Sequence, residues 1–305
     1  SGEDIGFSPA EEEQVYSEAI SSYESILARG SYGGRLDELL YQMAKAHALT
    51  GQQDASIQRL KQLVGLYPDS PLVPEARFRL AESAFAEGQY AEAESGYRQL
   101  IASGDSEEFS TKARYMLGWS QFKQGPSAWN RAAGTFVEVL DEFLPQEQSL
   151  ESVSESSVDT IDDTFRVLAL MAARKGGPDT LIAWLDKAQP RPWEHLLFDR
   201  LADYYAIQGK TGASVAACAQ AATYYEGLAP QVGQNGEVLR LAGDARLQAG
   251  HFPGALDNFR KAAYEAPGYS EAADAAWAAV TLLRDGVDQQ YGATAFKPGL
   301  EDLSD

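Results

Sequence analysis

The chain has 305 residues, of which 44 % are hydrophobic and 23 % are charged, the composition of a folded protein. Its formal net charge of −20, from 45 acidic and 25 basic residues, excludes the basic stripe that nucleic-acid binding requires and disfavours anionic membrane surfaces. No apolar run approaches the roughly 20 residues of a membrane-spanning helix, no secretory-signal pattern is visible, and the one cysteine, Cys218, precludes an intrachain disulfide.

The first predicted elements are paired helices that repeat along the chain. Residues 10–29 have the apolar spacing of one helix and predict a half unit at the N-terminal end. The units that follow each place a glycine between two helical segments, and the glycines at 51, 88 and 125 are 37 residues apart. The sequence therefore predicts an N-terminal solenoid over 10–145, with one half unit and three repeats.

The middle of the chain interrupts the repeat. Residues 146–158 are rich in Ser and Glu and predict a linker. Residues 159–285 predict a second solenoid that begins with a degenerate helix pair, continues with two repeats marked by Gly209 and Gly250, and ends with a further helix. Residues 286–305 predict a frayed tail.

The repeat around Gly250 shows the chemistry of the unit most clearly. Small residues at Ala242 and Gly243 permit close helix approach, and a large residue at Phe259 fills the space between neighbouring units. Glycine accommodates the left-handed turn that ends the first helix, and proline ends the second. The other characteristic residues of this repeat are Leu239, Gly250, Phe252, Ala255, Ala262 and Pro267.

This spacing resembles the tetratricopeptide repeat family, whose unit is two antiparallel helices. The resemblance covers most of the chain and implies an all-α fold, a right-handed superhelical solenoid of antiparallel helix pairs. In that family the first helices line a concave groove that binds protein or peptide partners. The corresponding positions here are Tyr41, Lys45, Phe78, Glu82, Phe85, Tyr115, Trp119 and Phe122. The alternative is that these aromatic side chains pack within the solenoid.

No set of residues in the sequence predicts catalysis. His195 and Asp199 are four apart on a predicted helix, but two ligands do not make a metal site. Asp159, Asp162 and Asp163 are explained by the preference for acidic side chains at a helix start. Cys218 occupies a packing position. We therefore expect a non-enzymatic protein with no metal or other cofactor.

A narrower resemblance suggests a compartment. The stretch Pro68-Asp69-Ser70, with Gly88-Gln89-Tyr90, is similar to the TolA-binding and outer-membrane-assembly groups of bacterial envelope repeat proteins. Leu117-Gly118-Trp119 and residues 163–168 are similar to repeat proteins of TonB-type systems. These resemblances imply a periplasmic or outer-membrane-associated scaffold in an envelope complex, without membrane insertion. The alternatives are a cytoplasmic protein, and a structural arm of a longer envelope or secretion-complex protein.

Overall fold

The computed structural model describes residues 9–30, 33–104, 107–144, 155–185, 191, 193–232 and 235–288. Within these residues the chain forms fourteen α-helices and two short 3-10 turns, and they contain no β-strand. The predicted all-α class is therefore confirmed. The chain divides into two compact units, Ser1–Val139 and Leu140–Asp305, and the division falls inside one helix.

The first unit contains six helices and the beginning of a seventh. They are α1 (Pro9–Arg29), α2 (Leu36–Leu49), α3 (Gln53–Leu66), α4 (Val73–Ala86), α5 (Tyr90–Ser103), α6 (Glu107–Lys123) and α7 (Trp129–Phe143). Helix α1 covers the residues for which the sequence predicts a half unit. Helices α2 and α3 pack together as one pair and α4 and α5 as the next, with α3 against α4 and α5 against α6.

In the described part of the second unit, the end of α7 is followed by a long helix and then a short one. Its helices are α8 (Glu155–Lys175), α9 (Pro178–Trp184), α10 (Glu194–Ile207), α11 (Thr211–Leu228), α12 (Gly236–Gln248), α13 (Phe252–Tyr264) and α14 (Ala272–Asp288). Helix α8 starts within the predicted linker, since an acidic residue such as Glu155 is favoured in the first turn. Residues 146–154 of that linker, and 289–305 of the predicted tail, lie outside the described residues.

The glycines that mark the repeat adopt the predicted backbone conformation. Gly51, with φ of 72°, ends α2, and the next amide, that of Gln52, donates to the His47 carbonyl oxygen at 2.8 Å. This bond satisfies a carbonyl that the helix end leaves open and reverses the chain direction. The same bond follows the glycine at three other turns, from Gln89 to Ala84, from Lys210 to Tyr205 and from His251 to Arg246.

The turn at Gly125 differs from the others. A 3-10 turn, Pro126–Ala128, follows this glycine before α7 begins. This turn adds two residues, since α7 starts four residues after Gly125, whereas α3 and α5 start two residues after Gly51 and Gly88. Proline suits the first position of such a turn, because its fixed φ and missing N–H cost nothing there.

The core alternates small and large side chains as the repeat pattern predicts. Ala93 and Tyr97 on α5 are fully buried, and Ala255 and Phe259 occupy the equivalent positions on α13. Alanine lets neighbouring helices approach while the ring fills the space between them. None of the described helices is long and apolar enough to cross a membrane.

Candidate functional site

The predicted binding face of the first unit lies on α2, α4 and α6, and α4 packs directly against α6. Phe78 on α4 stands between two other rings, with centroids 5.7 Å from those of both Tyr97 and Phe109. Tyr97 is fully buried, whereas Phe78 and Phe109 are half-buried. Phe78 therefore has one side fixed by the core and another that faces outward.

Three further aromatic side chains of this face lie on α6. The Trp119 ring meets Tyr115 edge to face at 6.2 Å and Phe122 at 5.5 Å. All three are half-buried. From beneath, Trp119 contacts the buried Phe136 at 5.8 Å, and Phe122 stacks on Trp129 at 5.8 Å. Edge-to-face and stacked contacts of this kind hold the rings in defined orientations.

The predicted groove on α2, α4 and α6 includes a cavity of about 480 Å³ between α4 and α6, which charged side chains surround. The lining residues are Glu75, Phe78, Arg79, Glu82, Phe109 and Lys112. Arg79 forms an ion pair with Glu75 at 2.7 Å, and the Lys112 ammonium lies 5.7 Å from the Phe109 ring centroid. Burial raises the pKa of Glu82, against the opposing effect of Arg79 and Lys112. The groove thus offers aromatic surface bordered by both signs of charge.

The remaining predicted groove residues differ in accessibility. Tyr41 is only 5 % exposed, because it packs in the core cluster with Leu40 and Leu60. Little of its surface is left for a partner, and the Lys45 ammonium lies 5.7 Å from its ring centroid. Lys45 itself is exposed, whereas Phe85 is half-buried against Tyr90, with 5.3 Å between the ring centroids. Participation of these residues in binding stays a prediction.

The sequence-based set of groove residues omits Arg79 and Phe109, which also line the groove. Glu75 and Arg79 pair one turn apart on α4, and Phe109 enters from the first turns of α6. The i, i+4 spacing of the first two is visible in the sequence. Phe109 has no such signal, since only the packing of α6 against α4 places it beside Phe78.

The acidic residues, the histidine and the cysteine that the sequence analysis considered for chemistry all lie in the second unit. The described residues contain no group of three or more His, Cys, Asp or Glu that could hold a metal ion. The side chain of His195 lies outside the described residues. Asp162 forms ion pairs with Arg166 and Arg200. Cys218 is buried and donates to Gln248 Oε1 at 3.3 Å, and burial raises the pKa of its thiol.

Asp199 on α10 stands out among the carboxylates of the second unit. Burial, together with the nearby charges of Asp203 and Asp244, raises its pKa to about 6 from an ordinary value of 3.8. The nearby Arg200 opposes this shift only in part. The folded chain therefore keeps a proton on Asp199 between about pH 4 and pH 6, where the unfolded chain releases it.

Asp199→Asn is expected to stabilise the protein at pH 7 by about 1 to 2 kcal/mol, after allowing for partial exposure of the side chain. Because the folded pKa is raised, wild-type stability falls as pH rises from about 4 to about 6, and the amide removes that loss. Urea unfolding at pH 4 and pH 7 checks this, with the exposed Asp69→Asn as the matched control. An equal gain at both pH values would contradict the prediction.

A comparison with known protein families agrees with the helix pairs of the first unit. A tetratricopeptide repeat model matches residues 38–70 and 75–103, so the chain contains tetratricopeptide repeats in its first unit. No curated protein matches the chain. A solved tetratricopeptide repeat protein from Parabacteroides merdae is similar at 14 % identity, with 88 % of this chain and 99 % of that chain covered and a TM-score of 0.34. The TPR domain of P58(IPK) is similar at 12 % identity, with coverage of 89 % and 99 % and a TM-score of 0.22.

Proposed function

We propose that the first unit is a non-catalytic scaffold that binds a peptide or helix of a partner protein in the groove of α2, α4 and α6. Tetratricopeptide repeats generally mediate protein–protein interaction, and the matched repeats form part of this groove. The observation that carries the proposal is the row of half-buried rings at Phe78, Tyr115 and Trp119.

The rings suit binding because they are held before a partner arrives. Trp119 is fixed by edge-to-face contacts with both Phe122 and Phe136, so little side-chain freedom remains to be lost on binding. Aromatic side chains carry much of the energy of protein interfaces for this reason. The Glu75–Arg79 pair and Lys112 at the border supply polar contacts that orient the partner.

The proposal predicts that a peptide selected for binding to the full chain loses affinity when groove aromatics are truncated. Tyr115→Ala and Trp119→Ala are each expected to weaken binding at least tenfold, about 1.4 kcal/mol. The selection uses a random-peptide display library on the immobilised full chain, and fluorescence anisotropy measures the affinity of each selected peptide.

Tyr264→Ala is the matched control, since this tyrosine is 65 % exposed on α13 in the other unit. Circular dichroism establishes that each variant keeps its helix content. If none of the selected peptides loses more affinity with either groove variant than with Tyr264→Ala, the groove is not the binding surface.

We also propose a bacterial periplasmic or outer-membrane-associated location for this scaffold. The support is the similarity of Pro68-Asp69-Ser70 and Leu117-Gly118-Trp119 to repeat proteins of envelope systems. Fractionation of cells that express the native gene tests the location.

A second candidate function is that of a structural arm in a longer envelope or secretion-complex protein. Trp277 on α14 favours it, because this apolar side chain is 67 % exposed and Val280 beside it is also exposed. Large exposed apolar surfaces commonly pack against other protein. A selection in which no peptide loses affinity in the two groove variants would favour this arm over the groove scaffold.

A further inference from the structure

A cleft of about 470 Å³ lies between α8 and α10 in the second unit. Four of the lining residues on each helix are spaced i, i+3, i+4 and i+7, so each helix presents one face to the cleft, and α8 adds a fifth residue. These are Val158, Ile161, Asp162 and Phe165 on α8, and Leu196, Asp199, Arg200 and Asp203 on α10. Asp159 completes the lining.

The floor of the cleft is apolar and rigid. Ile161 is 4 % exposed and Phe165 is 3 % exposed, and the Phe165 ring is braced edge to face by Trp193 at 6.1 Å. Leu196 is half-buried, and Val158 at the rim is 49 % exposed. An apolar side chain of suitable size can therefore be buried on a surface that the fold already holds in place.

The border of the cleft is acidic. Asp162 is compensated by ion pairs with Arg166 and Arg200. By contrast, Asp159, Asp199 and Asp203 form no ion pair with any side chain in the described part of the chain. Arg200, the one cation of the lining, is thus already engaged, and three carboxylates remain to attract positive charge from outside.

We propose that this cleft binds a segment of a partner protein in which Lys or Arg side chains stand next to apolar ones. The apolar side chains occupy the floor at Ile161 and Phe165, and the cations meet the carboxylates of Asp159 and Asp203. Charge complementarity commits the cleft to a basic occupant. The net charge of −20 disfavours a second copy of this chain as the occupant, because it is repelled by the acidic border.

The unfavourable ionisation of Asp199 supports the same inference. Its partial burial beside Asp203 and Asp244 makes ionisation unfavourable, so the fold carries a carboxylate that lowers its own stability at neutral pH. Residues that cost stability in this way cluster at functional sites, where a ligand offsets the cost. A cation from the partner does so here.

The test measures the binding of three matched, fluorescein-labelled synthetic peptides to the full chain. One peptide combines Lys with Leu, one combines Lys with Ser, and one combines Glu with Leu. The Lys/Leu peptide is expected to bind about tenfold more tightly than either of the others, because only it supplies both features. Asp159→Asn with Asp203→Asn is expected to weaken its binding about tenfold. Fluorescence anisotropy measures each affinity.

Asp54→Asn with Asp69→Asn is the matched control, since it removes the same charge from exposed positions in the first unit. This pair and Tyr115→Ala are expected to leave Lys/Leu binding unchanged, so the result is separate from the groove of the first unit. Equal weakening in both charge-matched pairs would show non-specific attraction and overturn the proposal. So would equal binding of the Lys/Ser peptide, or a loss of binding in Tyr115→Ala.

Discussion

Gly243→Ala is expected to destabilise the second unit by about 1 to 3 kcal/mol. A Cβ atom at this position in α12 would lie 2.5 Å from Cε1 of Phe259 on α13, closer than non-bonded carbon atoms approach. Phe259 is only 2 % exposed, so its ring has no free space into which to move. Either the ring leaves its preferred rotamer or the two helices separate.

The first unit contains the same arrangement at Gly118. Its added Cβ would lie 2.7 Å from Cε1 of Phe136, which is fully buried. We therefore expect Gly118→Ala to have a similar effect on the first unit, and both variants to lower the midpoint of urea unfolding followed by far-UV circular dichroism.

Gly65→Ala and Gly134→Ala are the controls for this pair. Both glycines lie inside helices, α3 and α7, and an added Cβ at either would meet no atom within 4 Å. Alanine is the better helix former, so these variants are expected to gain up to about 1 kcal/mol. Destabilisation in all four variants, or in none, would show that the close approach of ring and backbone does not decide the outcome.

Glu94→Ala is expected to destabilise the first unit by about 2 to 3 kcal/mol. This carboxylate on α5 is 8 % exposed and accepts hydrogen bonds from Gln121 on α6 at 3.3 Å and from Gln124, directly after α6, at 2.6 Å. Arg98 adds an ion pair at 2.7 Å. Removing the carboxylate leaves the side-chain amide of Gln121, which is itself 2 % exposed, without its acceptor.

Glu92→Ala serves as the control, because Glu92 lies on the same helix but is exposed. The Glu92→Ala substitution is expected to change the free energy of unfolding by no more than about 0.5 kcal/mol. Urea unfolding compares the two variants. Equal effects of the two substitutions would mean that the buried hydrogen bonds contribute little to stability.

The contribution of Glu94 is also expected to depend on pH. Desolvation acts to raise its pKa, but the hydrogen bonds from Gln124 and Gln121 outweigh it, so the pKa is lowered from the ordinary 4.5. The stabilisation is therefore complete above about pH 4.5 and is lost as the pH falls through the lower pKa of the folded state. The stability difference between wild type and Glu94→Gln should shrink in acid accordingly.

The second unit uses a similar polar connection between repeats. Glu226 on α11 accepts hydrogen bonds from Arg246 on α12 at 2.8 Å and from Asn258 on α13 at 2.9 Å. Hydrogen bonding from Arg246 lowers the pKa of Glu226. A buried or half-buried carboxylate that joins neighbouring helices thus occurs in both units, and neither was predicted from the sequence.

The sequence by itself determined the helix pairs and their turns. A glycine such as Gly88 or Gly250 adopts positive φ because it lacks a Cβ, and the residues around it suffice to end one helix and start the next. Core positions such as Ala93 and Tyr97 were equally predictable, because the spacing of small and large residues along one helix places them on the same face.

Only the tertiary structure decided which side chains are accessible and which distant residues meet. Tyr41 occupies a predicted groove position but is buried by its neighbours, whereas Tyr115 at the equivalent position of the third repeat is only half-buried. The partners of Glu94 lie about one repeat away, and the cleft of the second unit joins α8 to α10 across the short α9. The physical reason is that turns and helix faces depend on neighbouring residues, whereas burial and pairing depend on how separate helices pack.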